Sequence, residues 1–131
     1  MDTLDDTSVL IPDVFEVHAL THPQKEAVVC GDVRRSWGDF AANINRVANA
    51  LNARGIGPGQ QVAVLMGNSV EILEIMFGVV RAGACVVPLS GLLTGEQLAT
   101  LIDDSDAVAM FATADFIDRL GAHRQRCTKL R

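Results

Sequence analysis

The fold of this chain is decided by residues 61–88, QVAVLMGNSVEILEIMFGVVRAGACVVP. The apolar run at 61–66 predicts a strand buried on both faces, as strands of parallel sheets usually are. Residues 68–83 predict a helix, and residues 84–88 predict a second apolar strand that Pro88 stops. Two strands joined through a helix by short connections form a right-handed crossover unit. This stretch therefore predicts an α/β fold with parallel strands.

The helix predicted at 68–83 carries signals at both ends. Asn68 is its predicted N-cap, with Glu71 as the capping-box partner, and Gly83 is placed to end it. Most positions of this helix are apolar, which indicates that it is largely covered by other elements. Its polar positions form one narrow stripe, made of Glu71, Glu74, Gly78 and Arg81.

The residues at the start of the chain predict a helix followed by a β-hairpin. Residues 1–10 are an acidic lead-in, and residues 12–21 predict a helix with proline in its first turn. Two short strands at 27–30 and 33–36 would pair through a tight turn at residues 31–32.

The helix predicted at 36–55 has the strongest periodicity in the chain. Ser36 is its predicted cap, with Asp39 three residues later, and Gly55 would end it in the left-handed conformation. Its large apolar residues recur every three or four positions and so share one face. They are Trp37, Phe40, Ile44, Val47 and Leu51.

The downstream residues repeat the alternation of helix and strand. Thr94 and Gln97 form a capping box for a helix that ends near residue 104. A strand at 107–112 and a short helix at 114–120 follow. We therefore predict an α/β layered fold with a mainly parallel sheet, flanking helices and an N-terminal β-hairpin.

Composition and charge argue against several classes of function. The chain has 131 residues, of which 49% are hydrophobic, and a net charge of −5. Nucleic-acid binding is not expected, because it requires a basic surface. The acidic N-terminus lacks the basic region of a signal peptide, and no apolar run approaches the roughly 20 residues of a membrane span. The three cysteines form no CxxC motif, which fits a reducing compartment, so we expect a cytoplasmic protein.

A basic tail, residues 123–131, is the exception to this acidic balance. It holds four of the eleven basic residues of the chain, Arg124, Arg126, Lys129 and Arg131. Such an end could touch an anionic surface, but we interpret it as a solvated, frayed terminus.

No motif in the chain carries recognisable catalytic chemistry. The glycine-rich stretch 55–59 follows a helix and precedes a strand, the reverse of a phosphate cradle, so we interpret it as a helix stop. Residues 91–95 lie between a strand and a helix, and their amides could bind an anion. They lack lysine and clustered hydroxyls, so a turn and helix cap is the favoured interpretation. Ser69 is likewise interpreted as a residue of a capping region.

The remaining titratable residues are also interpreted as structural or solvated. His18 and His22 have the spacing of metal ligands on a helix, but no further ligand keeps register with them. Cys85, in an apolar strand, is expected to be inert, and nothing near Cys30 would lower its pKa. The acidic run at 103–106 lacks the pattern of a calcium loop and predicts a solvated helix end.

The order of several segments resembles that of the adenylate-forming, AMP-binding enzymes. The first is VRRSWGDF at 33–40, and the second is GIGPGQQVA at 55–63. NSVE at 68–71 and VRAGACVVPL at 80–89 follow, and then the helix from Leu-Thr to Asp-Ser at 92–105. The family includes acyl-CoA synthetases such as fatty-acid–CoA ligases, coumarate-ligase and luciferase relatives, and peptide-synthetase adenylation domains.

The resemblance implies part of the large N-terminal domain of such a ligase, over residues 11–122. In this family ATP and a carboxylic acid give an acyl-adenylate, and a thiol, usually that of coenzyme A, then takes the acyl group. The loop and lysine that handle ATP and Mg²⁺ lie beyond the matched region in family members. Neither Lys25 nor Lys129 matches a catalytic position. We therefore predict no catalytic, cofactor-binding or metal-binding residue in this chain.

Three hypotheses for function remain open at this point. The first is an N-terminal scaffold segment of an ATP-dependent acyl-CoA synthetase that is inactive alone. The second is a non-enzymatic module that pairs with itself or with a partner through an exposed sheet edge. The third is an unrelated doubly wound binding domain, although the chain has no glycine fingerprint for a nucleotide.

Overall fold

The computed structural model describes residues 8–131, so most of the acidic lead-in predicted at 1–10 lies outside the described residues. Ten helices and strands and a final 3₁₀ helix follow one another in the described part of the chain. They are α1 (Ile11–Thr21), β1 (Glu26–Cys30), β2 (Val33–Ser36), α2 (Trp37–Ala53), β3 (Gln61–Leu65), α3 (Val70–Arg81), β4 (Cys85–Pro88), α4 (Gly95–Asp104), β5 (Ala107–Ala112), α5 (Ala114–Leu120) and the 3₁₀ helix (Gly121–Arg126). The predicted order of elements is confirmed.

The sheet is built around β3. It lies between β4 and β5, and both neighbours pair with it in parallel. Residues 62–65 of β3 are each at most 1% exposed, which confirms the strand buried on both faces. The antiparallel hairpin of β1 and β2 is a separate two-stranded sheet, and Gly31 in its turn has a φ of +59°.

Helices cover both faces of this sheet, which confirms the layered α/β prediction. On one face, Val62 belongs to an apolar cluster with residues of α2 and α3, including Leu51 and Val79. On the other face, Ala63 and Leu65 belong to a cluster with residues of α4, α5 and the tail. The side chains of β3 alternate between these two clusters, as a strand with helices on both faces requires.

Helix α2 begins and ends as its sequence predicts. The Ser36 hydroxyl accepts a hydrogen bond from the Asp39 amide at 3.2 Å. Gly55 follows the helix with a φ of +71°, a backbone conformation that favours glycine. The Ile56 amide then folds back to the Leu51 carbonyl at 3.0 Å, so Ile56 packs against the last turn.

The predicted cap of α3 is wrong by one residue. Ser69, not Asn68, is the N-cap, and its hydroxyl accepts a hydrogen bond from the Ile72 amide at 3.2 Å. Asn68 lies one residue earlier on an exposed turn. Glu71 consequently does not close a capping box. Its Oε1 lies 3.4 Å from Nη2 of Arg35 in the hairpin. Adjacent asparagine and serine are both good caps, and the backbone path decides between them.

Most residues of the tail are exposed, as predicted, but the prediction that the tail is frayed is wrong. Cys127 is 7% exposed in the cluster that covers α4 and α5, and Leu130 packs against the same cluster. Lys129 pairs with Asp106, which has a φ of +59° after α4. The Arg131 amide donates to the Val108 carbonyl at 2.8 Å. Two apolar residues anchor the tail, while its basic side chains face outward.

Candidate functional site

The carboxyl ends of the three parallel strands meet at one edge of the sheet. From β3 the chain passes to one face through α3, and from β4 it passes to the other face through α4. The loops at 66–69 and 89–94 therefore diverge between β3 and β4. Ligands of α/β proteins bind in the crevice at such a switch point, so this edge is the candidate site.

The hydroxyls of the two diverging loops, 66–69 and 89–94, are used in helix caps and in a turn. Ser69 caps α3, and Thr94 caps α4 by accepting from the Gln97 amide at 3.3 Å. The side chain of Gln97 in return accepts from the Thr94 amide at 3.0 Å, which confirms the predicted capping box. Ser90 accepts from the amide two residues later at 3.3 Å. The two edge loops contain no lysine, histidine or carboxylate, so they offer neither an acid nor a base.

The glycines of the loop before α4 make room for α5. A Cβ at Gly91 would lie 2.6 Å from the ring of Phe116. A Cβ at Gly95 would meet the backbone carbonyl of Arg119, whose side chain bonds in turn to the Gly91 carbonyl. These glycines allow close packing of the loop on α5, in agreement with the interpretation of 91–95 as a turn and cap.

The other glycine-rich stretch lies at the opposite end of the sheet. Residues 55–59 end α2 and enter β3 at its amino end, and Gly59 has a φ of +80°. Inside the stretch, the Gly57 amide donates to the side chain of Gln60 at 3.0 Å. This placement agrees with the interpretation of the stretch as a helix stop.

The two spaced histidines make different contacts on α1 and at its end. His18 stacks on Trp37 with ring centroids 4.6 Å apart, and His22 contacts the Thr21 hydroxyl at 2.9 Å. Among residues 8–131, no group of three or more His, Cys, Asp or Glu side chains could hold a metal ion. His18 thus has a packing contact that accounts for its position.

The cysteines lie in three different environments. Cys85 is exposed, because β4 is an edge strand, so its expected inertness cannot rest on burial. Cys30 is half-buried in the hairpin. Burial raises the pKa of the Cys127 thiol, and the nearby Asp103 carboxylate raises it further.

A charged cluster around one buried carboxylate, that of Glu74, lies between the hairpin, α2 and α3, and sequence analysis did not identify it. Glu74, with a side chain only 5% exposed, lies 3.5 Å from Nε of Arg35. The second carboxylate oxygen of Glu74 has no hydrogen-bond partner among the described residues. Glu71, Glu74 and Gly78 of the polar stripe on α3 therefore face the hairpin or α2, whereas Arg81 pairs with Asp13 of α1. The sequence does carry a signal of this cluster: Glu74 lies one helical turn before the small residue Gly78 on a helix that is mostly apolar.

The cluster predicts a pH dependence of stability. Burial raises the pKa of Glu74 above its ordinary value of 4.5, although Asn43 and Arg35 oppose the shift. The folded chain then binds this proton more tightly than the unfolded chain does. The free energy of unfolding should therefore fall as the pH rises from 4.5 through the raised pKa. Glu74→Gln should lessen this fall, measured by urea unfolding from about pH 4 to about pH 8.

Asp118→Asn, at an exposed position of α5, is the matched control for Glu74→Gln. It removes one carboxylate without touching the charged cluster, so its pH profile should follow that of the unchanged chain. A Glu74→Gln profile that also follows the unchanged chain would contradict the prediction.

Within residues 8–131, no helix combines the length and the hydropathy needed to cross a bilayer.

This architecture, a parallel sheet between helical layers with a hairpin at its start, matches the N-terminal domain of adenylate-forming enzymes. The family model for AMP-binding enzymes matches residues 15–130. The chain belongs to the AMP-binding enzyme family. The match includes nearly all of the basic tail, which the sequence resemblance left unassigned.

Two curated relatives show how broad this family is. The chain is 32% identical over 111 residues to a medium/long-chain-fatty-acid–CoA/3-oxocholest-4-en-26-oate–CoA ligase of Mycobacterium marinum, covering 84% of this chain and 20% of the relative. It is 29% identical over 107 residues to a dimodular nonribosomal peptide synthase of Bacillus subtilis, covering 82% of this chain and 4% of that protein. The chain thus spans a small part of each relative.

Solved structures share the fold. The N-terminal domain of FACL13 from Mycobacterium tuberculosis aligns with a TM-score of 0.82 at 30% identity, over 92% of this chain and 31% of that one. Coronafacic acid ligase from Pectobacterium brasiliense, as its R395G mutant, aligns with a TM-score of 0.86 at 27% identity, over 91% of this chain and 24% of that one.

Proposed function

We propose that this chain is the N-terminal scaffold segment of an ATP-dependent acyl-CoA synthetase. In the reaction, a carboxylate displaces pyrophosphate from ATP to form an acyl-adenylate, and the thiol of coenzyme A then displaces AMP. The family assignment supports this proposal, as does the similarity to the Mycobacterium marinum ligase and to FACL13. The segment supplies β3 and the switch point beside it.

The residues that the structure describes do not fit Mg²⁺ and ATP, so we assign no step of the reaction to them. A bound triphosphate and its metal need a cationic side chain and oxygen ligands that converge. The hydroxyls of the loops at 66–69 and 89–94 are used in caps and in a turn, and these loops contain no lysine. This is the observation that carries the proposed scaffold role and the proposed inactivity of the isolated chain.

Pyrophosphate exchange into ATP tests the inactivity. The purified chain is incubated with Mg²⁺, ATP, labelled pyrophosphate and fatty, aromatic and amino acids in turn. We expect exchange at the level of a blank for every acid. Exchange above the blank with any of them would overturn the proposed inactivity.

Segment replacement tests the acyl-CoA synthetase assignment. Residues 15–130 replace the aligned segment in FACL13 and, separately, in the dimodular nonribosomal peptide synthase of Bacillus subtilis. We expect the ligase host to keep a larger fraction of its adenylation rate than the peptide-synthase host. Equal retention, or greater retention in the peptide-synthase host, would contradict the finer assignment while leaving the family assignment intact.

A second candidate function is a non-enzymatic module that associates with itself or with a partner. The observation that favours it is that no further strand pairs with the outer side of β4 or of β5 within residues 8–131. Light scattering over a wide range of concentration tests self-association. A constant mass of one chain would count against that part of the hypothesis.

We also propose a cytoplasmic location, which the cysteines support. All three are free thiols, and no two of them are joined. Thiol trapping in intact cells followed by mass spectrometry should find all three reduced. An oxidised Cys30 or Cys85 would argue against this location.

A further inference from the structure

We propose that Arg35 is the moving part of a pH-sensitive switch, in which its guanidinium pairs with Glu71 while Glu74 is protonated and passes to Glu74 when Glu74 loses its proton. This switch would operate whether or not the segment takes part in adenylation, so it goes beyond the proposed function. Three features support it: two covered polar atoms without partners, a guanidinium shared between two carboxylates, and helices that cannot move in its place.

Two polar atoms of the charged cluster are buried without a hydrogen-bond partner among residues 8–131. They are Nε of Arg35 and Oε2 of Glu74. The described residues themselves cover both atoms, so no other group can contact them unless a side chain moves. Buried polar groups without partners are unfavourable and rare in folded proteins. The cluster therefore favours a second arrangement in which these two atoms are paired.

The Arg35 guanidinium lies between two carboxylates and is close to neither. Its Nη2 lies 3.4 Å from Oε1 of Glu71, and its Nε lies 3.5 Å from Oε1 of Glu74. Charge-assisted hydrogen bonds between such groups are shorter, about 2.7–2.9 Å, and a guanidinium can form two of them in parallel with one carboxylate. Nε and Nη2 lie side by side and are suited to this pairing. Here Nη2 is engaged by Glu71, so the double bond to Glu74 is not formed.

The other groups around Glu74 leave Arg35 as its available cation. Besides Glu74, the charged side chains that line the cleft between the hairpin, α2 and α3 within residues 8–131 are Arg35, Arg46 and Glu71. Arg46 of α2 donates to the side chain of Asn43 at 2.6 Å. The side chain of Glu71 is 53% exposed, so water can solvate it when Arg35 leaves. The buried Glu74 has no such alternative.

The charge of Glu74 decides which carboxylate Arg35 prefers. While Glu74 is neutral, Glu71 is the negative charge beside Arg35. A buried Glu74 anion requires a paired, hydrogen-bonded cation, and Arg35 can provide two bonds there in exchange for one at Glu71. Burial raises the pKa of Glu74 above its ordinary value of 4.5, although Asn43 and Arg35 oppose the shift. The exchange of partners should therefore occur at a higher pH than the titration of an exposed glutamate.

Arg35 is the part of the cluster that can move. Helices α2 and α3 are in contact one turn beyond Glu74, where a Cβ at Gly78 would lie 2.5 Å from Cγ1 of Val47. This contact holds the backbone that carries Glu74. The side chain of Arg35, by contrast, is long and 28% exposed, so it can change position without moving either helix.

NMR of the whole chain, labelled with ¹³C and ¹⁵N, tests the switch from about pH 4 to about pH 8. The measured quantity is the protection of the Arg35 Nε–H against exchange with water, corrected for the rate in free arginine. Protection should rise about five-fold or more, with the midpoint of the Glu74 carboxyl signal. Arg34, the neighbouring hairpin arginine that pairs with Glu26, is the matched control and should show no change at that midpoint. Constant or falling protection at Arg35 would overturn the proposal.

Arg35→Lys separates the double bond from simple attraction between charges. Lysine keeps the positive charge but has no planar pair of donors, so the midpoint of the Glu74 titration should rise by about 0.5 or more on the pH scale. Arg34→Lys should leave this midpoint unchanged. If Arg35→Lys also leaves it unchanged, Arg35 acts through charge alone and the proposed exchange of partners is wrong.

Discussion

Gly78→Ala should destabilise the chain by about 3 kcal/mol, because α2 and α3 pack in contact at this glycine. A Cβ at position 78 would lie 2.5 Å from Cγ1 of Val47 and 3.1 Å from the Ile44 carbonyl, and it would also meet Cβ of Val47. Both helices hold their positions through buried residues, so neither side chain nor backbone can yield cheaply. The higher helix propensity of alanine, about 1 kcal/mol, offsets only part of the cost.

Urea unfolding of Gly78→Ala measures this effect against Gly67→Ala. A Cβ at Gly67 would meet no atom within 4 Å, and this glycine has no positive φ, so its replacement should change stability by less than about 0.5 kcal/mol. Adding Val47→Ala to Gly78→Ala removes one of the clashing atoms and should restore part of the loss. If Gly78→Ala and Gly67→Ala have the same midpoint of urea unfolding, the predicted clash between α2 and α3 at position 78 is wrong.

The sequence predicts the elements of this fold well because its local signals agree with each other. The periodicity of α2, the apolar run of β3 and the reciprocal cap at Thr94 each depend on neighbours along the chain. Such signals need no knowledge of tertiary contacts. The family resemblance adds the order of the segments, which the match over residues 15–130 confirms at the level of the family.

Features that depend on contacts between distant residues were not predictable in this way. The burial of Glu74 is an example, because the helical pattern does not say which face meets α2 and the hairpin. The exposure of Cys85 is another, since an apolar strand has the same sequence at an edge as at the centre of a sheet. The choice of Ser69 over Asn68 as a cap depends on the backbone path into α3.

The candidate site follows from topology more than from any residue. The switch point between β3 and β4 exists because successive crossovers lie on opposite faces of the sheet, as the two apolar clusters show. The predicted absence of catalytic, cofactor-binding and metal-binding residues remains a prediction, to be tested by the exchange assay. The roles of Ser69 and Thr94 as caps explain why the sequence patterns at this edge suggest helix starts.

Deletion of residues 123–131 should destabilise the chain by about 4 kcal/mol, because it removes Cys127 and Leu130 from the cluster over α4 and α5. Burial of an apolar side chain contributes roughly 1.5–3 kcal/mol. The deletion also removes the bond from Arg126 to the Thr100 hydroxyl at 2.9 Å and the bond from Arg131 to β5. The measurement is urea unfolding of the shortened chain.

Point variants separate burial from charge in the tail. Cys127→Ser with Leu130→Ser keeps every basic residue and should reproduce most of the loss caused by the deletion. Arg124→Ser with Thr128→Ser changes two exposed positions and should stay within about 0.5 kcal/mol of the unchanged chain. If the arginine–threonine variant lost more stability than the cysteine–leucine variant, charge rather than burial would stabilise the tail. A deletion without effect would mean that the fold is complete at α5, and that the contacts of Cys127 and Leu130 contribute nothing to stability.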